Sequence, residues 1–307
     1  MNGEVVNSME YDNYGNITKK NGKAYNYGNA IWKDLLTGID SESIEYDAQG
    51  DPVKYLGHTL TWEKGRQLKK FDNIEYTYNA NGIRTSKTIG GVKHEYTLDG
   101  TKILRETWGT NTLIPIYDSE DSVCGIIYND YAYYFLKNLQ GDVIAITNNK
   151  GKVVASYTYD AWGVCTIVSD NTGIIARVNP FRYRGYYYDQ EIGLYYLQSR
   201  YYDPQVGRFI TPDHVDVTTC VAVLHSHNLF CYACNSPVNE TDVDGNLATK
   251  AVVKFVLWAV FGVFAQFLSD VIESLYRKFI QKKEYILYIK PFGGLSRLCA
   301  FLGNVLT

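Results

Sequence analysis

The sequence predicts a mainly β protein, with antiparallel hairpins in one extended, curved sheet followed by a mostly α-helical apolar tail. Three observations lead there. The 307 residues include 28 tyrosines and 26 glycines against 7 prolines and 2 methionines, a balance suited to half-buried strands and tight turns. A short unit recurs, with Tyr11-Asp12-Asn13-Tyr14-Gly15-Asn16 returning as Tyr46-Asp47-Ala48-Gln49-Gly50-Asp51. The segments around such units alternate as strands do, for example Val143-Ile144-Ala145-Ile146-Thr147 and Val153-Val154-Ala155-Ser156-Tyr157-Thr158-Tyr159.

The unit reads as a chain reversal. Tyrosine ends one strand, Asp or Asn hydrogen-bonds the turn backbone, and glycine supplies the positive φ that turns the chain. Tyr78-Asn79-Ala80-Asn81-Gly82, Tyr96-Thr97-Leu98-Asp99-Gly100 and Tyr159-Asp160-Ala161-Trp162-Gly163 follow the same plan. Leu139-Gln140-Gly141-Asp142 and Asn149-Lys150-Gly151-Lys152 keep only the turn. The spacing is irregular, so no fixed-period solenoid is implied. One hairpin alone is marginal in water, and successive hairpins are therefore expected to pair side by side.

Net charge is -3, with an uneven distribution. Residues 248–307 carry eight basic and three acidic side chains, a net +5, and the preceding body is at -8. A basic, apolar tail on an acidic body points to two units with different partners. The six cysteines are too sparse and irregular for a disulfide scaffold. Met1 to Gly15 lack the basic and apolar regions of a secretory signal. No G-x-G-x-x-G, P-loop, HExxH or G-x-S-x-G string occurs, so nucleotide binding and the common hydrolases find no support, and no cofactor is expected. An acidic body is equally ill suited to nucleic acid.

Between Phe181 and Asp213 the pattern becomes dense: FRYRGYYYDQEIGLYYLQSRYYDPQVGRFITPD. Two turns, Tyr188 to Gly193 and Tyr202 to Gly207, enclose a predicted strand from Leu194 to Tyr202. This string resembles the core module of Rhs/YD-repeat proteins. Asn228-Leu229-Phe230 with Asn235-Ser236-Pro237-Val238-Asn239-Glu240-Thr241-Asp242-Val243-Asp244-Gly245 resembles the end of that module. Val243 stands where the family usually carries proline, which would fix the backbone there.

The resemblance implies a hollow β-shell of YD hairpins that encloses a toxic C-terminal polypeptide. In several members the core is an aspartyl protease that releases that polypeptide just beyond the module. Carried over by position, Asp203 and Asp213 are the candidate carboxylate pair and Arg200 a supporting cation, with the cut at Leu247-Ala248. Such chemistry needs two carboxyls too close to ionise together, one holding a proton while the other activates water. The residues alone also admit a plainer reading, with Asp203 a turn residue like Asp12 and Asp47, and Asp213 a cap.

His225, His227, Cys231 and Cys234 in HSHNLFCYAC have zinc-like spacing. Structural thiols and surface histidines are the favoured reading, and no metal is expected.

After Gly245 the period changes. Residues 251–268 are apolar on every face except at Lys254 and Gln266, and at 1.5 Å per residue they reach about 27 Å, enough for a thin bilayer core. Val271, Ile272, Leu275, Phe279 and Ile280 follow at helical spacing and end among Arg277, Lys278, Lys282 and Lys283, as in an interfacial helix on anionic lipid. The competing expectation is a soluble helix or plug packed inside the shell.

The expected organisation is YD hairpins over 1–175, the core module over 176–247 and a variable tail over 248–307 with its apolar helix at about 250–283. The expected function is that of a toxin-like Rhs scaffold with a small membrane-active effector tail, whose only enzymatic activity would be self-cleavage. By family resemblance it acts outside the cell that makes it, secreted or at the surface. Its expected partners are the rest of the shell or its own tail, the membrane through 251–268, and an immunity protein. A non-enzymatic surface or wall-associated adhesion protein, anchored by the tail, is the alternative.

Overall fold

The computed structural model describes residues 8–213, 228–242, 245 and 248–250. The elements below belong to the unit Met1–Thr249. Eighteen strands between Met9 and Asp170 form one antiparallel sheet. Each strand pairs with its chain neighbours, from Met9–Tyr11 on Ile17–Lys20 to Val153–Tyr159 on Cys165–Asp170. The sheet is thus a continuous meander, the topology that short turns enforce. Helix is scarce among the described residues: one α-helical turn, Ile175–Val178, and the 3-10 turns Tyr183–Gly185 and Ala233–Asn235.

The reversals work as their residues predict. Asp12 Oδ1 accepts the N–H groups of Tyr14 and Asn16, both at 2.8 Å. Asp47, Asn79, Asn138, Asn148 and Asp160 accept in the same way from the residues two and four positions on. Asp118 does so as well, in a turn where Asp121 rather than glycine takes positive φ. The tyrosine before the turn has a second role, reaching back to a carbonyl elsewhere in the sheet. Tyr46 donates to Leu36 O, Tyr117 to Ile103 O and Tyr159 to Val143 O. Most of these hairpins also carry a register shift close to the turn, and such bulges bend a strand and raise its local twist.

Two expectations need correction. Tyr96 to Gly100 is not a Tyr-Asp reversal, because the strand Val92–Asp99 continues through it and Asp99 pairs directly with Lys102 across Gly100-Thr101. The predicted strand Leu194 to Tyr202 is two strands, Leu194–Tyr196 and Tyr201–Asp203. They are joined by a reversal in which Leu197 N–H donates to Arg200 O and Gln198 takes a φ of 66°. No glycine or Asp/Asn marks that turn, so its composition hid it.

One face of the meander is buried against the core module, whose four strands Tyr187–Asp189, Leu194–Tyr196, Tyr201–Asp203 and Arg208–Phe209 make a second sheet. Ile17, Tyr25, Ile39, Ile44, Tyr55, Leu60, Leu68 and Phe71 pack with Tyr183, Tyr195, Tyr202, Phe209 and Tyr232. Leu113, Ile126, Phe135, Ile146 and Ala155 pack with Ile175, Phe181 and Tyr187. Completely burying a residue such as Leu113 contributes about 1.5–3 kcal/mol. At Gly163 the packing excludes any side chain: its φ is 91°, and a Cβ would lie 2.6 Å from the Tyr183 ring.

Polar ties reinforce this packing. Arg84 grips Asp189 with both terminal nitrogens, and Lys87 Nζ donates to Asp189 Oδ1 at 2.9 Å and to Glu191 Oε1 at 2.6 Å. Glu106 accepts from the Tyr187 hydroxyl at 2.9 Å and bonds His94 Nδ1 at 2.7 Å.

The predicted helix at about 250–283 and the apolar run 251–268 lie outside the described residues, apart from Lys250. No helix among the described residues is long and apolar enough to cross a membrane.

Candidate functional site

The core sheet brings Arg200, Asp203 and Asp213 to its ends. Arg200 precedes the third strand and Asp203 closes it. Asp213 follows the fourth strand, its N–H donating to Leu229 O at 2.8 Å.

Arg200 is buried and lies over the Phe209 ring, 3.6 Å from its centroid. Nη2 meets Asp213 Oδ2 at 2.8 Å and Asp242 Oδ2 at 3.4 Å. Nη1 donates to Leu229 O at 3.1 Å and Nε donates to Gly245 O. Burial pushes the pKa of this guanidinium below its ordinary value, against the opposing pull of Asp213 and Asp242.

Asp203 occupies a different setting. Its Oδ1 accepts from Gln205 N–H at 2.8 Å and Val206 N–H at 3.0 Å, and its Oδ2 accepts from the Tyr55 hydroxyl at 2.8 Å. Burial raises its pKa, although the backbone donors and Tyr55 pull the other way. The turn it starts is held from several sides. Lys20 Nζ donates to Pro204 O at 2.7 Å and Gln205 O at 2.8 Å while lying over the Trp162 ring, and the Tyr25 hydroxyl donates to Val206 O at 3.0 Å. Desolvation pulls the Lys20 amine down to about 8. The geometry around Asp203 is therefore that of a turn-forming residue clamped by the hairpin sheet.

The carboxylate that shares a nitrogen of Arg200 with Asp213 is Asp242, which the sequence reading left without a role. Its Oδ1 accepts from Gly245 N–H at 2.9 Å. The signal was present: Asp242-Val243-Asp244-Gly245 has the Asp-x-x-Gly spacing of the hairpin turns. Leu247 lies outside the described residues, and Ala248 begins the short strand Ala248–Lys250, paired with Glu240–Asp242.

The thiol pair is not set up as a metal site among the described residues. Cys231 and Cys234 are unbridged, burial pushes the Cys231 thiol up to about 12, and His225 and His227 lie outside the described residues. No cluster of three or more potential ligands occurs among those described.

Known proteins share both sequence and fold. Residues 101–238 match the Teneurin YD-shell family. The tRNA nuclease WapA of Bacillus subtilis strain 168 is 35% identical over 261 residues, which cover 80% of this chain and 11% of WapA. The double-stranded DNA deaminase toxin A of Burkholderia cenocepacia is 34% identical over 122 residues, 39% of this chain and 8% of the toxin. A Photorhabdus luminescens Tc holotoxin pore aligns with a TM-score of 0.56 at 18% identity, covering 79% of this chain and 13% of that one. The last likeness establishes the fold alone. The chain thus spans only a small part of each of these proteins. On the family-model match and the WapA match together, the chain belongs to the Rhs/YD-repeat family.

Proposed function

We propose that this chain is the C-terminal part of a toxin-like Rhs protein, in which a β-shell scaffold over 1–247 carries an effector over 248–307. Within the scaffold, hairpins over 1–175 enclose the core module over 176–247. The observation that carries the proposal is the grip of Arg200 on Asp213, Asp242 and the Gly245 carbonyl. It holds the chain at Gly245, two residues before Leu247, and gathers two carboxylates on one guanidinium.

Self-cleavage there would begin when one carboxylate takes a proton from water as the water oxygen adds to the Leu247 carbonyl carbon. A carboxylic acid would then protonate the departing Ala248 amine. Asp213, oriented by Arg200, takes the first role. Asp242 meets the same nitrogen of Arg200 as Asp213 does. That makes Asp242 the second carboxyl, with Asp203 as the other candidate. Mass spectrometry of the purified full chain is expected to show a cut at or near Leu247, abolished by Asp213→Asn. Loss of the cut in Asp242→Asn but not Asp203→Asn would assign the second role, and an uncut wild-type chain would remove the protease from the proposal.

The effector is proposed to act on membranes, because residues 251–268 are apolar on nearly every face and basic residues follow them. Residues 248–307 expressed in bacteria are expected to collapse the membrane potential, read with a potential-sensitive dye. Harmless expression at comparable levels would count against a membrane-active tail. Relatives named as a nuclease and a deaminase leave other effector chemistries open to the same scaffold. Shell segments, the membrane and an immunity protein are the proposed partners, and action outside the producing cell is the proposed setting.

A further inference from the structure

The residue after the glycine of an Asp/Asn-x-x-Gly turn is a recurrent contact point between wall and core. In the first turn it is Asn16, whose Oδ1 accepts from Asn228 Nδ2 at 2.7 Å. In the turn Asn138 to Asp142 it is Asp142, which accepts from Asn138 Nδ2 at 2.7 Å and from Arg184 N–H at 2.9 Å. Asp51 holds the same place in the turn Asp47 to Asp51. Its side chain is wholly buried, and neither carboxyl oxygen has a hydrogen-bond partner among the described residues. An unpartnered buried carboxyl is costly when charged and much less so when protonated.

Its surroundings couple it to the core module. The adjoining Gly50 is pressed between Trp32 and Pro212, so that a Cβ there would lie 2.7 Å from Trp32 Cη2 and 3.2 Å from Pro212 Cγ. Pro212 precedes Asp213. We propose that Asp51 is a proton-gated docking residue: neutral, it lets its turn seat against Trp32 and the Pro212-Asp213 segment, and ionised, it opens that seat.

The charged groups around it do not compensate a negative charge. Burial is the main cause of the rise of the Asp51 pKa to about 7, with Asp47 in its own turn adding to it and Arg66 opposing it. On the Trp32 side, Arg208 is engaged with the Asp34 carbonyl oxygen at 2.6 Å, and on the core side Asp213 is paired with Arg200. A carboxyl raised in the closed form stabilises that form below its ordinary value of 3.8, and the contribution is lost as pH rises to about 7.

The test compares thermal unfolding of wild type, Asp51→Asn and the partnered control Asp142→Asn from pH 4 to pH 9. Relative to Asp51→Asn, the wild type is expected to lose stability by up to about tenfold per pH unit between pH 4 and 7, with a constant gap above pH 7. Asp142→Asn keeps Asp51 and is expected to lose stability across the same pH range as the wild type does. A gap between wild type and Asp51→Asn that is the same at every pH would overturn the proposal. If Asp51→Asn fails to fold, carbon-13 titration of the Asp51 carboxyl in the wild type decides: a midpoint near neutrality supports the gate, and one below pH 5 removes it. Neither measurement depends on self-cleavage.

Discussion

Asp189→Ala is expected to lower the unfolding free energy by about 3–5 kcal/mol, the range for removing one partner of a buried ion pair. Arg84 and Asp189 are both about fully buried. Without the carboxylate, the guanidinium and the Lys87 amine would stay in the interior, surrounded by tyrosines. Arg84 Cζ lies 4.3 Å from the Tyr196 ring centroid and 5.0 Å from that of Tyr187, and such faces temper a cation's desolvation without neutralising it. Burial alone would raise the Asp189 pKa, but Arg84 and Lys87 overcome it and hold it below its ordinary value. A depressed carboxylate stabilises the fold above its unfolded pKa and loses that contribution as pH falls through the folded one. The difference between wild type and variant should therefore be full at pH 7 and shrink under acid. Urea denaturation at both pH values measures it, and a loss under 1 kcal/mol at pH 7 would show that the pair does not hold core to wall.

Arg200→Leu is expected to act as strongly but locally. It removes the donor to the Gly245 and Leu229 carbonyls and the cation beside Asp213 and Asp242, again at a cost of about 3–5 kcal/mol. Amide hydrogen exchange should speed up across 228–245 while the strands from Asn111 to Asn148 keep their protection. Uniform acceleration over the whole sheet would instead mean that Arg200 supports the fold as a unit.

The hairpin wall was legible in the sequence because its determinants are local. Asp12, Asp47 and Asp160 each bond backbone within four residues. The turn at Gln198 escaped because nothing in its composition distinguishes it from strand. The site was legible only in part for a different reason. Asp203 and Asp213 stand in recognisable strings, but their settings depend on residues far away, Tyr55 for one and Arg200 with Asp242 for the other. The unpartnered state of Asp51 is likewise visible only once Trp32 and Pro212 close around its turn.

Lys20 reaching Pro204, and Asn16 reaching Asn228, join positions 184 and 212 residues apart. At typical synthesis rates of about 5–20 residues per second, the early hairpins wait roughly 10–40 s for the segment that covers them. Throughout that interval Ile17, Tyr25 and Tyr55 have no core to pack on, and such exposed apolar strands invite self-association. Completion of this fold is therefore timed by synthesis of the core module, and a ribosome stalling before Phe181 would leave an adhesive ribbon in place of a smaller finished protein.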